Sequence, residues 1–239
     1  MGPRIWVVVP FSRPKMKDNV LRNFQSQSYE NKRLVIVENG DGLGTFFYDE
    51  IVHKLNSEAH QSSAKNTAIK YLKEKYPDDY WVCMDDDDYY GTEYLQEHAD
   101  NAERGVIRGK RTAWVEFDSG LVWFGDSWKT GDDTESFVGG TMGSYLTDAQ
   151  EFPLVCGEEH GFCKAALNKG LACRLLSPLH FCYSRRGEPN EHAYKAREEK
   201  FWRHQGGKGI RVLGSKRAWV KKYPPSIEPR NYWESKNDI

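Results

Sequence analysis

Residues 85–88 are four consecutive aspartates, and they follow Trp81-Val82-Cys83-Met84, an apolar run that reads as a buried strand. Carboxylates this close repel one another and raise each other's pKa, so a folded chain holds them where a cation or a set of donors lies among them. A metal site is one such arrangement. An acidic helix cap or a solvated loop is the other reading of the run taken alone. A second concentration of charge has the opposite sign: ten lysines and arginines between Lys195 and Lys222 are opposed by Glu198 and Glu199, with Phe201, Trp202 and Trp219 interleaved. Such a stretch is a footprint for a phosphate-bearing partner such as DNA, or an ordinary solvated helix face with a tail.

Alternating strands and helices must position the aspartates. Ile5 to Pro10 is a continuous apolar run typical of a strand buried on both faces, and an amphipathic segment from Lys15 to Ser28 follows it. Arg33 to Asn39 repeats the strand pattern and ends in a turn at Gly40, Asp41 and Gly42. From Ser62 to Tyr76, Ala64, Ala68, Ile69 and Leu72 fall at helical spacing behind a serine cap, and Pro77 stops the helix. Strand, helix, strand, helix, strand in this order predicts a mainly parallel sheet, which binds ligands at the carboxyl ends of its strands. The aspartates stand at such an end. Beyond residue 105 the pieces are shorter: a hairpin turning at Asp118-Ser119-Gly120, a helix from about Glu158 to Lys169, and a strand over Ala172 to Leu176.

At 239 residues with 38% hydrophobic content, the chain is large enough for one α/β domain with a packed core. We expect one compact unit over residues 1–222, with a nucleotide-binding half (1–104), a second half (105–194) that completes the sheet and builds the other wall of a cleft, and the basic segment (195–222), then a tail (223–239). No stretch approaches the roughly 20 apolar residues of a membrane span, and the first residues turn polar too soon for a secretory signal. Five cysteines with no C-x-x-C pair argue against a disulfide framework or structural zinc. A cytoplasmic protein with reduced thiols is the expectation. The net charge of −1 excludes a strong global field.

Several motifs then occur in a telling order: Pro10-Phe11-Ser12-Arg13, Gln25-Ser26-Gln27-Ser28-Tyr29, Val37-Glu38-Asn39-Gly40, Ala64-Lys65-Asn66, the aspartate run, and Glu158-Glu159 opening a helix. Together they resemble the GT-A glycosyltransferases, specifically the family-2-like branch, over residues 4–190. The resemblance implies a Rossmann-like, mainly parallel α/β sheet flanked by helices. It also implies a nucleotide-diphosphate sugar donor, a UDP-sugar foremost, and Mn²⁺ or Mg²⁺ held by few carboxylates with positions left for phosphate oxygens.

In that family pattern Asp87 matches the second aspartate of Asp-x-Asp and would bind the metal, and Asp85 would hold the ribose or a metal-bound water. Asp88 would tune or share the ion, and the unbroken run, Asp86 included, permits a register shift of one. Glu38 matches the position that meets the nucleobase; a strand-end cap is its plain alternative. Pro10, Phe11 and Arg13 would line the nucleotide pocket, and Asn66 follows Lys65, which replaces the family's usual arginine and would bring a point charge near the diphosphate. Gly139-Gly140-Thr141-Met142 resembles the loop that approaches donor sugar and acceptor. Glu159 stands where the family's catalytic base does, with Glu158 in competition for the role. For the family's late metal-binding histidine the segment 180–192 offers His180 and His192, of which His192 is preferred.

Small, anchor-free relatives of this branch occur in bacteriophages, where some are linked to glycosylation of hydroxymethylated pyrimidines in DNA. The basic segment fits such an acceptor; capsule or lipopolysaccharide glycans and small molecules are the competing acceptors. Two readings from other classes are a sugar-nucleotidyltransferase, for which the Pro10–Asp18 segment lacks a glycine-rich phosphate loop, and a non-catalytic DNA- or sugar-binding module.

Overall fold

Ile5–Phe11 forms β1, and every residue of it is buried because strands flank it on both sides. Lys32–Glu38 (β2) pairs parallel with one edge and Tyr80–Cys83 (β4) with the other, while Val52–Asn56 (β3) extends the sheet beyond β2. The computed structural model describes residues 2–40, 44, 52–57, 61–111, 114–117, 120–123, 130–154, 158–177, 179–185 and 210–212. On the far side of β4 lie Gly143–Tyr145 (β9), antiparallel to it, then Val106–Gly109 (β6) and Ala172–Leu175 (β10). The result is a seven-stranded, mainly parallel sheet in the order β10-β6-β9-β4-β1-β2-β3. The expected second half of the chain therefore completes the same sheet.

Alternation along β1 explains how the helices cover it. Ile5, Val7, Val9 and Phe11 face a core built with Val20 and Phe24 of α1 (Lys17–Gln25) and with Tyr94 and Leu95 of α3 (Tyr94–Asp100). Trp6 and Val8 face the opposite core, where α2 (Gln61–Lys75) contributes Ala64, Ala68, Ile69 and Leu72 and α4 (Glu158–Asn168) contributes Phe162, Cys163 and Ala166. Burying a side chain such as Leu72 stabilises the fold by roughly 1.5–3 kcal/mol. Helix α2 starts at Gln61, so Ser62 lies inside its first turn rather than capping it.

A five-stranded second sheet, ordered β12-β8-β7-β11-β5, joins Tyr89–Tyr90 (β5) to Phe181–Arg185 (β11), Trp114–Phe117 (β7), Gly120–Trp123 (β8) and Ile210–Val212 (β12). The predicted hairpin corresponds to the antiparallel β7–β8 pair, in which Phe117 is paired with Gly120. Among the described residues, Cys83, Cys163 and Cys173 are free thiols, and no helix is long and apolar enough to cross a membrane.

Candidate active site

The chain leaves β1 toward β2 on one side and returns from β3 to β4 on the other, so the strand order reverses between β1 and β4. In an open α/β sheet that reversal opens a crevice at the carboxyl ends of the two strands. Here β1 delivers Ser12 and Arg13 into it, and β4 delivers Asp85 to Asp88.

Beyond β4 the chain bends at residues 86–88, and the four aspartates differ in burial. Asp86 and Asp88 are buried, whereas Asp85 and Asp87 are partly exposed. Asp88 accepts the Ser184 amide of β11 at 2.9 Å, which ties the run to the second sheet. Asp86 takes the Arg13 guanidinium through Nη2 and, at 3.3 Å, through Nε, while Arg13 Nη1 donates to Asp87 Oδ2 at 2.8 Å. The backbone beneath is held by side chains of α1. Asn19 donates to the carbonyls of Asp86 (2.8 Å) and Asp88 (3.1 Å), and Asn23 to that of Asp88 (2.8 Å). The Asp85 amide donates to Tyr90 Oη at 2.7 Å, and its carboxylate accepts from Gln61 at 2.9 Å. Burial, opposed by Lys65 and reinforced by Asp87, Asp86 and Glu159, pushes the Asp85 carboxyl up to about 6. Burial also raises Asp86 against the pull of Arg13.

The first turn of α4 brings a second pair of carboxylates. Consecutive helical residues point about 100° apart, so one of the two faces the core and the other the crevice. Glu158 is the buried one: it accepts the Ser62 hydroxyl and, at 2.6 Å, the Lys65 ammonium. Glu159 is partly exposed and lies over Gly139, where an added Cβ would stand 2.4 Å from its Oε1. At Gly140 an added Cβ would stand 2.7 Å from Asp85 Oδ2 and from Tyr90 Oη, and Tyr90 donates to the Gly140 carbonyl at 2.8 Å. Two adjacent glycines thus let the backbone run between Asp85 and Glu159, and the crevice gathers carboxylates from β4 and α4.

Other sequence-predicted residues sit differently from expectation. Lys65 is fully buried, with Glu158 as its ion-pair partner and the Phe152 ring 5.0 Å from Nζ, so its charge acts on Asp85 from within the core rather than lining an open pocket. Asn66 clamps the Phe152 backbone, donating to its carbonyl and accepting from its amide at 2.8 Å each. Phe11 is fully buried in the core under α1 because its position on β1 faces that side, and Pro10 is paired in the sheet. Glu38 is wholly buried and accepts the Gly44 amide at 2.6 Å. His180 has a positive φ of 62°, and its carbonyl accepts the Gly91 amide just beyond β5. His192, the basic segment other than 210–212, and the tail lie outside the described residues. Asn19, Asn23, Gln61, Tyr90 and Ser184, which organise the run, carry no sequence signal of their own.

Among the described residues no three His, Cys, Asp or Glu side chains converge on one point as a metal cage. The donor set nevertheless fits a hard divalent cation: carboxylate oxygens only, partly exposed at Asp85 and Asp87, with the Arg13 guanidinium as a stand-in cation on Asp87.

Several solved structures resemble this chain in fold. They include a mannosyltransferase from Pyrobaculum calidifontis in complex with GDP-Man and Mn²⁺ (16% identity, TM-score 0.56, covering 86% of this chain and 61% of that one). Residues 1–349 of S. aureus TarS with UDP-GlcNAc match at 18% identity and TM-score 0.56, over 83% of this chain and 63% of that one. GalNAc-T7 with UDP, GalNAc and Mn²⁺ matches at 8% identity and TM-score 0.57, over 78% and 44%. The chain therefore spans less than two thirds of the length of each of these structures. At these identities the likeness is one of fold, and the fold is the GT-A type. No family model matches the chain, and no curated protein is similar to it in sequence.

Proposed function

We propose that the chain is a metal-dependent glycosyltransferase that moves a sugar from a nucleotide-diphosphate donor to an acceptor hydroxyl with inversion. One observation carries this reading: Gly139 and Gly140 place backbone against Glu159 and Asp85 together, at the strand-order reversal of a GT-A sheet. The known structures of this fold described above hold GDP-Man, UDP or UDP-GlcNAc, two of them with Mn²⁺, which supports a nucleotide-sugar donor.

Asp87 and Asp85 would hold Mn²⁺ or Mg²⁺, which when bound neutralises charge on the leaving diphosphate. Glu159 takes the proton of the acceptor hydroxyl as that oxygen bonds to the anomeric carbon and the bond from that carbon to the diphosphate oxygen breaks on the opposite face. Glu158 is unsuited to this step, because its carboxylate is engaged by Ser62 and Lys65. Its role is to hold α4, and with it Glu159, against α2. For the acceptor, the excess of Lys and Arg between 195 and 222 favours a phosphate-bearing polymer, hydroxymethylated DNA being the member of that class with a free primary hydroxyl on the base.

The test is release of nucleoside diphosphate from a panel of nucleotide sugars with Mn²⁺, with and without hydroxymethylcytosine-containing DNA. Glu159→Gln should lower kcat by about 10²–10⁴-fold, and Asp87→Asn should abolish metal-dependent release. Release stimulated by the DNA supports the DNA acceptor, and unstimulated release moves the acceptor to glycans or small molecules. Turnover that survives both substitutions together refutes the mechanism.

A further inference from the structure

Arg13 belongs to the crevice by geometry. It lies just beyond the end of β1 and precedes Pro14, which restricts it to an extended backbone (φ −121°, ψ 95°) and aims its side chain across the gap to β4. There one guanidinium spans two carboxylates: Nη2 and Nε on Asp86, Nη1 on Asp87 at 2.8 Å. The two ends of this clasp differ. Asp86 is buried with its side chain 4% exposed, so a cation beside it is required for the charge to be tolerated there. Asp87 is the more accessible of the two at 12% and is the carboxylate assigned to the metal. A divalent ion at Asp87 and a guanidinium donating to the same carboxylate compete for one set of lone pairs and repel each other.

We infer that Arg13 is an intramolecular counter-cation that occupies Asp87 until metal arrives, then keeps Asp86 and turns its other N–H groups to the donor's diphosphate, so that metal and nucleotide binding reinforce each other. This inference rests on the metal-dependent reading above. Arginine suits the exchange because its planar fork pairs equally with carboxylate and with phosphate. Coupling follows from reciprocity: whatever free energy the diphosphate provides by drawing Nη1 off Asp87 appears as tighter metal binding, and the converse.

The experiment measures Mn²⁺ binding itself, from the paramagnetic resonance of the free aqua ion, with no sugar donor and no turnover. It compares wild type, Arg13→Gln, Arg13→Lys and Asp87→Asn, each checked for folding by circular dichroism. A neighbouring cation changes a carboxylate's affinity for a proton by about one to three powers of ten; removing it in Arg13→Gln should tighten Mn²⁺ by about tenfold or more. Should Arg13→Gln fail to fold because Asp86 is left without its partner, Arg13→Lys decides the matter. Its single ammonium retains a charge for Asp86 without spanning to Asp87, and it should tighten Mn²⁺ several-fold. In wild type, UDP should tighten Mn²⁺ by a larger factor than in Arg13→Gln. Metal binding that is lost in Asp87→Asn yet no tighter in folded Arg13→Gln or Arg13→Lys overturns this inference and leaves the metal site standing. No Mn²⁺ binding by any variant overturns both.

Discussion

Lys65 and Glu158 show how much of the site is held from beneath. Lys65 is wholly buried and Glu158 nearly so, and each is the other's counter-ion at 2.6 Å. Burial works to lower the Lys65 pKa, but Cys83, Asp85 and Glu158 together raise it, so it carries a full charge. Removing one member of a buried pair strands the other, at a cost of about 3–5 kcal/mol, whereas replacing both by apolar groups of similar size is often nearly neutral. Glu158→Leu and Lys65→Met should each lower the urea midpoint sharply, and the double variant should regain most of the loss. If the single variants are as stable as wild type, the pair is not the anchor of α4. The motif Ala64-Lys65-Asn66 was legible in the sequence as part of a candidate site, but its burial was not. Nothing in a one-dimensional pattern tells whether a lysine in a helix faces solvent or Glu158, 93 residues away. The same limit explains the two glutamates: both open α4, and only the packing of α4 against α2 shows which one is used up. The aspartate run was legible as a candidate site for the opposite reason, since four like charges in a row need compensation wherever they fold. Which of them face the crevice follows from the bend at residues 86–88 and from the partners Arg13 and Ser184, and four identical residues hide that register.

Among the elements, α3 offers the clearest link between packing and pH. His98 is fully buried on it, with the Tyr80 ring of β4 and the Tyr94 ring of its own helix at centroid distances of 6.1 and 4.9 Å. Burial first, and then the positive charge of Lys110, push its pKa well below the ordinary value; the Thr141 backbone opposes them and Arg108 adds a lesser push downward. The native state therefore holds His98 neutral while the unfolded chain takes up a proton below about 6.5, so this contribution is present above that pH and is lost as the pH falls. The slope is about 1.4 kcal/mol per pH unit for one proton. Urea unfolding at pH 7.5 and 5.5 should show wild type losing about that much more stability than His98→Phe. Equal losses would mean that His98 is not kept neutral by the fold. Helix α3 itself was not evident from the pattern, nor were β5 and β9. Each is short, and β9 is held in place by its neighbours β4 and β6 rather than by its own residues, Gly143-Ser144-Tyr145. By contrast β1, β2, β4 and α2 were plain, because a strand buried on both faces is uniformly apolar and a helix on a sheet repeats at 3.6.

Across the whole molecule, charge is nearly balanced yet unevenly placed. A net charge of −1 gives no long-range attraction to a polyanion. An acidic cluster, Asp85 to Asp88 with Glu158 and Glu159, gathers at the crevice, where Arg13 and Lys65 partly offset it, and ten of the 34 basic residues fall between 195 and 222 in the sequence. In the reading proposed above, the acidic cluster would hold a cation and a diphosphate, and the basic segment would retain an anionic polymer. A DNA acceptor thus makes a prediction that a neutral glycan does not. Duplex DNA bound through this segment releases counterions, and log K falls with log salt at about 0.9 per phosphate neutralised. Fluorescence anisotropy on hydroxymethylcytosine-containing DNA should therefore show affinity falling by about 10³-fold between 50 and 200 mM salt if six phosphates are neutralised. Replacing Lys216, Arg217, Lys221 and Lys222 by glutamine should flatten that slope by about 0.9 for each phosphate left without its cation, while donor hydrolysis in the absence of DNA stays unchanged. Binding that ignores salt, or no binding at all, removes DNA as the acceptor without touching the chemistry at Asp87 and Glu159, because the two charge clusters are separate in the sequence and make separate demands.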